Sequence, residues 1–499
     1  MKPATIFVGE PLPPVTSNCA CASPATIFVG EPLPPIVEKC ACVSSALASA
    51  APAATPAPRL QAVPWLRRTP LDAEHELWFD PFADSNVIVA NRAAQALLDA
   101  FNTQSPPTVL DVDSTAVVAQ MEALGVLRPP AARPPRLQPD HQRLTAWLHV
   151  TNACNLRCSY CYIHKSNEAM DEATGLAAVD AIFRSALAQG FHEVELKYAG
   201  GEATLNMALV RTLHDHAHAL AAAHRIALRE VVLSNGLVLS ADNVAFLRDN
   251  DFTLSISLDG LGESHDVQRP LRNGTGSSAF VKRTIEQLVA AGLEPHLSIT
   301  VTAQNANTLP ETISFALNHG LRFNLNFYRD HSCGDSVAAW RNDEAQLIDG
   351  IRAAFALIEA RLPDYRLIDG MIDRSAFNAP HSTSCGVGDN YMVIDHHGGV
   401  AACQMEIKNT ITHISDPDPL RVIQNTDFGF RNLPVSEKEG CRDCQWQWWC
   451  AGGCSLLTKR MTGRDDVKSP YCNVYKAIYP DLLRLEGLRL LQLQSAQSA

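Results

Sequence analysis

The sequence predicts an α/β protein: an incomplete parallel (β/α)6 barrel, preceded by a small winged-helix-like module and followed by a cysteine-rich extension. Three observations predict it. From Leu144 onward short apolar runs alternate with helix-compatible stretches, giving strands near 147–150, 194–198, 231–234, 253–258, 296–301 and 322–327, and such alternation argues a parallel sheet with its chemistry at the carboxyl ends of the strands. Upstream, residues 76–127 carry two short strand patterns and two helix patterns. Downstream, seven cysteines fall between Cys385 and Cys472.

Length and charge bound the rest. At 499 residues, 46% of them hydrophobic, the chain can bury a sizeable core and is expected to form two or three domains. The formal net charge of -12 argues against nucleic acid and anionic lipid as partners, because both call for a basic patch. No apolar run reaches the roughly 18 residues that span a bilayer, and no signal-peptide core follows Met1, so the expected location is the cytoplasm. There, fifteen cysteines fit metal ligation or redox work better than disulfides, and an odd total fits complete pairing badly.

Residues 3–14 read PATIFVGEPLPP, and residues 24–35 read the same again. Cys19-Ala20-Cys21 follows the first copy and Cys40-Ala41-Cys42 the second. Two copies are too few for a solenoid core, and the prolines forbid a continuous helix. Residues 1–43 are therefore expected to be peptide-like and without fixed structure: either a duplicated low-complexity extension, or a copy or mimic of a substrate peptide. Residues 44–70, rich in Ala, Pro and Ser, read as a linker.

The module at 71–130 follows. Glu76–Phe79 and Val87–Val89 read as strands, and Ala93–Phe101 and Thr115–Leu124 as helices. The pattern resembles the RiPP recognition element, a module that binds the leader of a ribosomally made precursor peptide by adding it as a strand to a sheet edge. The competing reading is a DNA-binding winged helix. Between Arg67 and Leu127 nine acids stand against three arginines, which would repel phosphates, so peptide wins.

The core is expected over 140–345. Its first strand runs into Cys154-x3-Cys158-x2-Cys161. Three thiolates can hold three irons of a 4Fe-4S cluster and leave the fourth open to a chelating amine and carboxylate. Zinc would want a fourth ligand, and His164 is the only near donor. The stretch TNACNLRCSYCYIHK resembles the signature of the radical S-adenosylmethionine (SAM) enzymes. That resemblance implies SAM on the open iron, reductive cleavage to a 5'-deoxyadenosyl radical, hydrogen abstraction, and Tyr160 near the adenine. Gly200-Gly201-Glu202 then resembles the motif that meets the SAM amine, the glycines letting backbone approach a ligand. Ser234 and Asn235, in the Ser234-Asn235-Gly236 that ends the third strand, are candidate SAM-binding residues, although turn chemistry alone would explain the motif. Ser257 and Arg269 are expected to touch SAM, Arg269 at its carboxylate. Asp259 is a candidate base, with a turn-forming Asp-Gly as the equal alternative.

A bridging helical segment is expected at 346–380, and a second metal framework at 381–480. Cys385, Cys403, Cys441, Cys444, Cys450, Cys454 and Cys472 resemble the SPASM domain of radical SAM peptide maturases, which holds two auxiliary 4Fe-4S clusters; a zinc ribbon would use only Cys441 and Cys444. Carried over position by position, the inner cluster would use Cys385, Cys403 and Cys454, and the outer one Cys441, Cys444, Cys450 and Cys472. No further cysteine lies between Cys385 and Cys403, so the inner cluster is expected to keep an open iron unless Cys333 supplies the fourth ligand. Residues 481–499 read as a terminal helix and tail.

These resemblances imply a radical SAM peptide-modifying enzyme, related to anaerobic sulfatase-maturating enzymes and sactipeptide synthases. Its expected partners are a precursor peptide and an electron donor such as flavodoxin or ferredoxin. A Cys thioether crosslink is the leading product; carbon–carbon crosslinking, for which Phe7 and Phe28 are aromatic partners, epimerisation and oxidation are the rivals. A noncatalytic iron–sulfur protein that binds peptide or transfers electrons is the alternative from another class.

Overall fold

The protein is described by a computed structural model that covers residues 6–8, 60–83, 87–103, 110–130, 137, 142–329, 340–341 and 343–497. The chain divides into two compact units, Met1–Arg136 with Gly487–Ala499, and Leu137–Glu486.

In the first unit the strands are β1 (Ile6–Val8), β2 (Gln61–Ala62), β3 (Arg67–Pro70), β4 (His75–Phe79), β5 (Val87–Asn91) and β6 (Leu127–Arg128). A four-stranded antiparallel sheet runs in the order β1-β5-β4-β3, and β2 pairs with β6. Two helices, Arg92–Phe101 and Val112–Ala123, pack on it, each opened by a side-chain cap, Asn91 to the Ala94 amide and Asp111 to the Ser114 amide. Their buried faces, Ala94, Leu98, Phe101, Val117, Val118 and Met121, close over Trp78 and Ile88.

Two expectations are corrected here. The segment expected without fixed structure contains β1, because Ile-Phe-Val is a strand-forming triplet and β5 offers it an open edge. The linker also ends sooner than expected. From Leu60 the chain already contributes β2 and β3, the latter an edge strand whose two arginines and one proline read as linker.

The second unit is a nine-stranded sheet in the order β12-β11-β10-β9-β8-β7-β13-β14-β15. Its strands are β7 (Arg143–Thr151), β8 (Glu193–Gly200), β9 (Ala227–Ser234), β10 (Thr253–Ser257), β11 (His296–Val301), β12 (Phe323–Phe327), β13 (Tyr391–Ile394), β14 (Gly399–Ala401) and β15 (Thr412–His413). β7 to β12 are the six expected strands, and all pair in parallel. A seventh, β13, joins beside β7, also in parallel, with Tyr391 opposite Thr145 and Ile394 opposite Leu148.

Helices cross over between the strands. The first, Glu172–Gln189, starts at an Asp171 cap and stops at Gly190, whose φ of 73° suits the left-handed turn there. The terminal helix is longer than expected, Cys472–Gln497, and contains Pro480. No described helix is long and apolar enough to cross a membrane.

Candidate active site

The loop after β7 carries the three-cysteine motif, and two glycines make room for it. A Cβ at Gly200 would lie 2.4 Å from the Thr151 carbonyl, and one at Gly201 2.4 Å from that of Ala153. The space the glycines leave where a side chain would stand is therefore filled by the cysteine loop's own backbone. Gly201 N–H donates to the Thr151 carbonyl at 2.7 Å and Glu202 N–H to that of Ala153 at 2.9 Å. On its other side the loop is stitched to residues 268–270: the Arg157 and Ser159 amides donate to the Pro270 and Gln268 carbonyls.

Around the cysteines the side chains are charged and polar. Asn235 reaches across from the end of β9, its Nδ2 3.9 Å from Cys154 Sγ and donating to Asn155 Oδ1 at 2.7 Å. The buried Glu202 carboxylate accepts from the Asn235 amide at 2.6 Å and from the Thr204 hydroxyl at 2.7 Å; burial raises its pKa against these bonds and one from Ser234. The Ser234 hydroxyl also accepts from the Gly236 amide at 3.0 Å. Ser257 ends β10 half-buried, opposite Ser298.

Arg269 and Asp259 form the buried heart of the site. Arg269 Nε donates to Asp259 Oδ2 at 2.6 Å, Nη1 lies 4.0 Å from Cys158 Sγ, and the guanidinium sits 5.4 Å from the centre of the Tyr160 ring. The Tyr160 hydroxyl donates a hydrogen bond to the same carboxylate oxygen. The other oxygen accepts from the Thr300 amide at 2.8 Å, and Asn305 Nδ2 donates to the Asp259 carbonyl. Fully buried and engaged at both oxygens, Asp259 is built to hold Arg269 and Tyr160 in place.

Two of the thiols resist ionisation. Burial pushes Cys158 up to about 12 against the pull of Arg269, and raises Cys154 against a bond from the Leu156 amide and the pull of Lys165. Lys165 is a site residue the sequence reading missed: it faces all three thiols and bonds Cys161, four residues before it in the chain. His164, the one near donor for zinc, is exposed.

The cysteines of the C-terminal third form two sets. Cys441, Cys444, Cys450 and Cys472 line one cavity with Trp446, Tyr475 and Lys476. Burial pushes Cys450 up to about 12 and Cys441 to about 11. In the other set, Cys403 is raised to about 12 by burial and then by its neighbours Cys454 and Cys385. Cys454 is the exception: burial would raise it, but Arg329 and Arg374 hold it below its ordinary value. Lys438, buried, with Nζ donating to the Ala451 carbonyl at 3.1 Å, feels cysteines of both sets, and Tyr162 feels Cys161 and Cys403 alike. None of these four stood out in the sequence, because a lone Arg, Lys or Tyr has no pattern. Cys333, and the repeat cysteines Cys19, Cys21, Cys40 and Cys42, lie outside the described residues.

Comparison with known proteins finds a domain match and distant relatives. Residues 148–316 match the Radical SAM superfamily. A cysteine-type anaerobic sulfatase-maturating enzyme of Clostridium perfringens is 21% identical over 358 residues, 66% of this chain and 93% of that protein. Among solved structures, anSMEcpe with bound AdoMet superposes with a TM-score of 0.57 at 18% identity, over 71% of this chain and 99% of that one. Streptococcus suis SuiB bound to precursor peptide SuiA gives 0.50 at 12% identity, over 83% and 99%.

Proposed function

From the premise that this chain carries a radical SAM domain over residues 148–316 and is an enzyme of that superfamily, we propose that it modifies a ribosomally made peptide. The observation that carries the reading is the three-cysteine loop seated on Gly200-Gly201, with Asn235 at Cys154 and Arg269 at Cys158. The donor set fits its group: three soft thiols, no fourth cysteine beside them among the described residues, and the cations Lys165 and Arg269 to balance thiolate charge. Cys154, Cys158 and Cys161 would hold a 4Fe-4S cluster that, with SAM bound, supplies a 5'-deoxyadenosyl radical able to take hydrogen from a carbon.

The residues around that group bind and orient. Arg269, clamped by Asp259, presents its remaining N–H groups beside Cys158, where a carboxylate would be received. Glu202 holds the Asn235 backbone amide and so fixes the turn beside Cys154. Asp259 is a positioning residue in this account. Ser257, at the end of β10, is left free to meet a ribose.

Cys441, Cys444, Cys450 and Cys472 would close around one auxiliary cluster, and Cys385, Cys403 and Cys454 would hold a second, its fourth position open unless Cys333, outside the described residues, fills it. A fourth position left to a substrate thiolate would lead to a thioether product, and Arg329 and Arg374, which favour a thiolate at Cys454, would support ligation by that cysteine. The peptide-bound structure of SuiB supports a peptide substrate. An external donor of the flavodoxin or ferredoxin kind would supply the electron.

The test is anaerobic reconstitution with iron, sulfide, SAM and reductant, followed by measurement of 5'-deoxyadenosine and mass spectrometry of candidate peptides. Thioether formation removes one hydrogen from sulfur and one from carbon, leaving a peptide two hydrogens lighter with a thiol that no longer alkylates. No 5'-deoxyadenosine from iron-replete protein would overturn the enzymatic reading.

A further inference from the structure

We infer that the two PATIFVGEPLPP copies are interchangeable docking strands for the open edge of β5, so that this chain carries its own recognition peptide and presents the Cys-Ala-Cys behind whichever copy is seated. The inference rests on the peptide-modifying reading only for its purpose; the docking stands or falls by itself.

The first copy is seated in the structure. Ile6, Phe7 and Val8 pair antiparallel with Ala90, Val89 and Ile88, and the triplet is the outermost strand of the sheet. Ile6 is only 7% exposed and packs into the core formed by Trp78, Ile88, Ala90, Ala94 and Leu98. Ala90, its partner in register, is small and leaves that space for a branched side chain. The affinity therefore comes from main-chain hydrogen bonds along β5 and one apolar side chain in a pocket, the two ingredients of strand addition.

Three features mark this strand as a docked ligand and not an integral part of the sheet. It is three residues long, so it makes few ladder bonds. The remaining strands, β3, β4 and β5, form an antiparallel meander without it. Its sequence also occurs a second time in the chain, with Ile27, Phe28 and Val29 in the places of Ile6, Phe7 and Val8.

One edge cannot hold two strands, so the identical copies compete for it. The second copy lies outside the described residues, but its chemistry is the same. Each copy also carries a cysteine pair at one fixed offset: Cys19 stands eleven residues after Val8, and Cys40 eleven after Val29. Docking either copy in the same register thus delivers a Cys-Ala-Cys at the same distance along the chain from β5. A substrate peptide in trans would need the same Ile-Phe-Val element, and would have to displace a competitor kept at high local concentration by its covalent tether.

The experiment uses the full chain without SAM, so that a failure of radical chemistry cannot be confused with a failure of docking. Hydrogen exchange over residues 87–91 is followed in wild type, Ile6→Asp, Ile27→Asp and the double variant; a carboxylate buried against Trp78 and Ile88 should unseat the copy that bears it. Each single variant should keep the slow exchange of wild type, because the other copy takes the edge. The double variant should exchange at least tenfold faster at 87–91 while the helix 92–101 stays protected, and added synthetic PATIFVGEPLPP should restore protection where PATDFVGEPLPP does not. An Ile6→Asp variant as exposed as the double would overturn interchangeability. A double variant that stays protected, or that the peptide fails to rescue, would overturn docking. Should the double variant not fold, a photoreactive group is placed at Phe7 or at Phe28 of the full chain: crosslinks from both positions to residues 87–91 support the proposal, and their absence from Phe28 overturns interchangeability.

Discussion

Two cysteine sets in the second unit differ in what surrounds them, and the difference tells an open site from a closed one. Cys154, Cys158 and Cys161 sit on a loop flanked by Arg269, Asp259, Lys165, Glu202 and Asn235. Cys441, Cys444, Cys450 and Cys472 line a cavity whose walls include Trp446, Tyr475, Gly440, Gly452 and Lys476, with Lys438 and Lys468 also acting on its thiols. Three thiols among charged groups stand where those charges would orient a polar ligand. Four thiols beside aromatic walls have the number of a full ligand set, which would suit storing or passing electrons.

The comparison breaks first at the three-cysteine loop. Replacing Cys154, Cys158 and Cys161 together by Ala should abolish 5'-deoxyadenosine formation and lower iron by about four per chain, the content of one 4Fe-4S cluster; unchanged iron with unchanged cleavage would refute the open site. Next in size is Arg269→Ala, which leaves the Asp259 carboxylate buried without its cation. Breaking such a pair costs about 3–5 kcal/mol, so chemical denaturation should show a large loss, and SAM binding by equilibrium dialysis should weaken with it. Asp259→Asn, which keeps the shape, should retain more of both.

A third test uses pH. Burial holds His265 at about 4, well below its ordinary 6.5, with Asp259 pulling up and Arg269 pushing down; its ring stands near the Asp259 amide and Ser277 Oγ. The folded state binds this proton less readily than the unfolded one, so stability is complete above pH 6.5 and falls as pH drops from 6.5 towards 4, by about 3 kcal/mol in all. His265→Gln should flatten that part of the unfolding profile; an unchanged slope would assign it to other groups. The smallest effect on SAM is expected at the closed set. Removing Cys441, Cys444, Cys450 and Cys472 should cost about four irons per chain while leaving peptide-free SAM cleavage intact.

How much of this was legible depended on the range of the interactions. The six strands β7 to β12 were readable because each is an apolar run between turn residues, a local property, and the three-cysteine loop because its spacing is local too. β13 was not: Tyr391–Ile394 is an ordinary apolar run, and its partner lies far back in the chain at Thr145–Leu148. β3 was hidden by the arginines and proline that an edge strand tolerates. Among site residues, Glu202, Asn235 and Arg269 belong to motifs and were found. Lys165, Arg329, Arg374 and Lys438 act through charge at a distance in space and were not, although a lysine four residues past a metal-type cysteine was a signal available to read. The glycine pair was noticed as a motif, but its close packing on Thr151 and Ala153 is a contact in space that the sequence does not show.

The parallel pairing of β13 with β7 also sets a timetable. A nascent chain emerges at about 5–20 residues per second, so the 240 residues from Thr151 to Tyr391 take roughly 12–50 s to follow. Throughout that interval the outer edge of β7 has no partner, in a stretch that includes Trp147, Leu148 and Val150 and ends at the future cysteine loop. An unpaired edge invites other chains. Chaperone protection during translation, and the speed of the ribosome itself, thus bear on whether the most reactive loop of this protein is ever built.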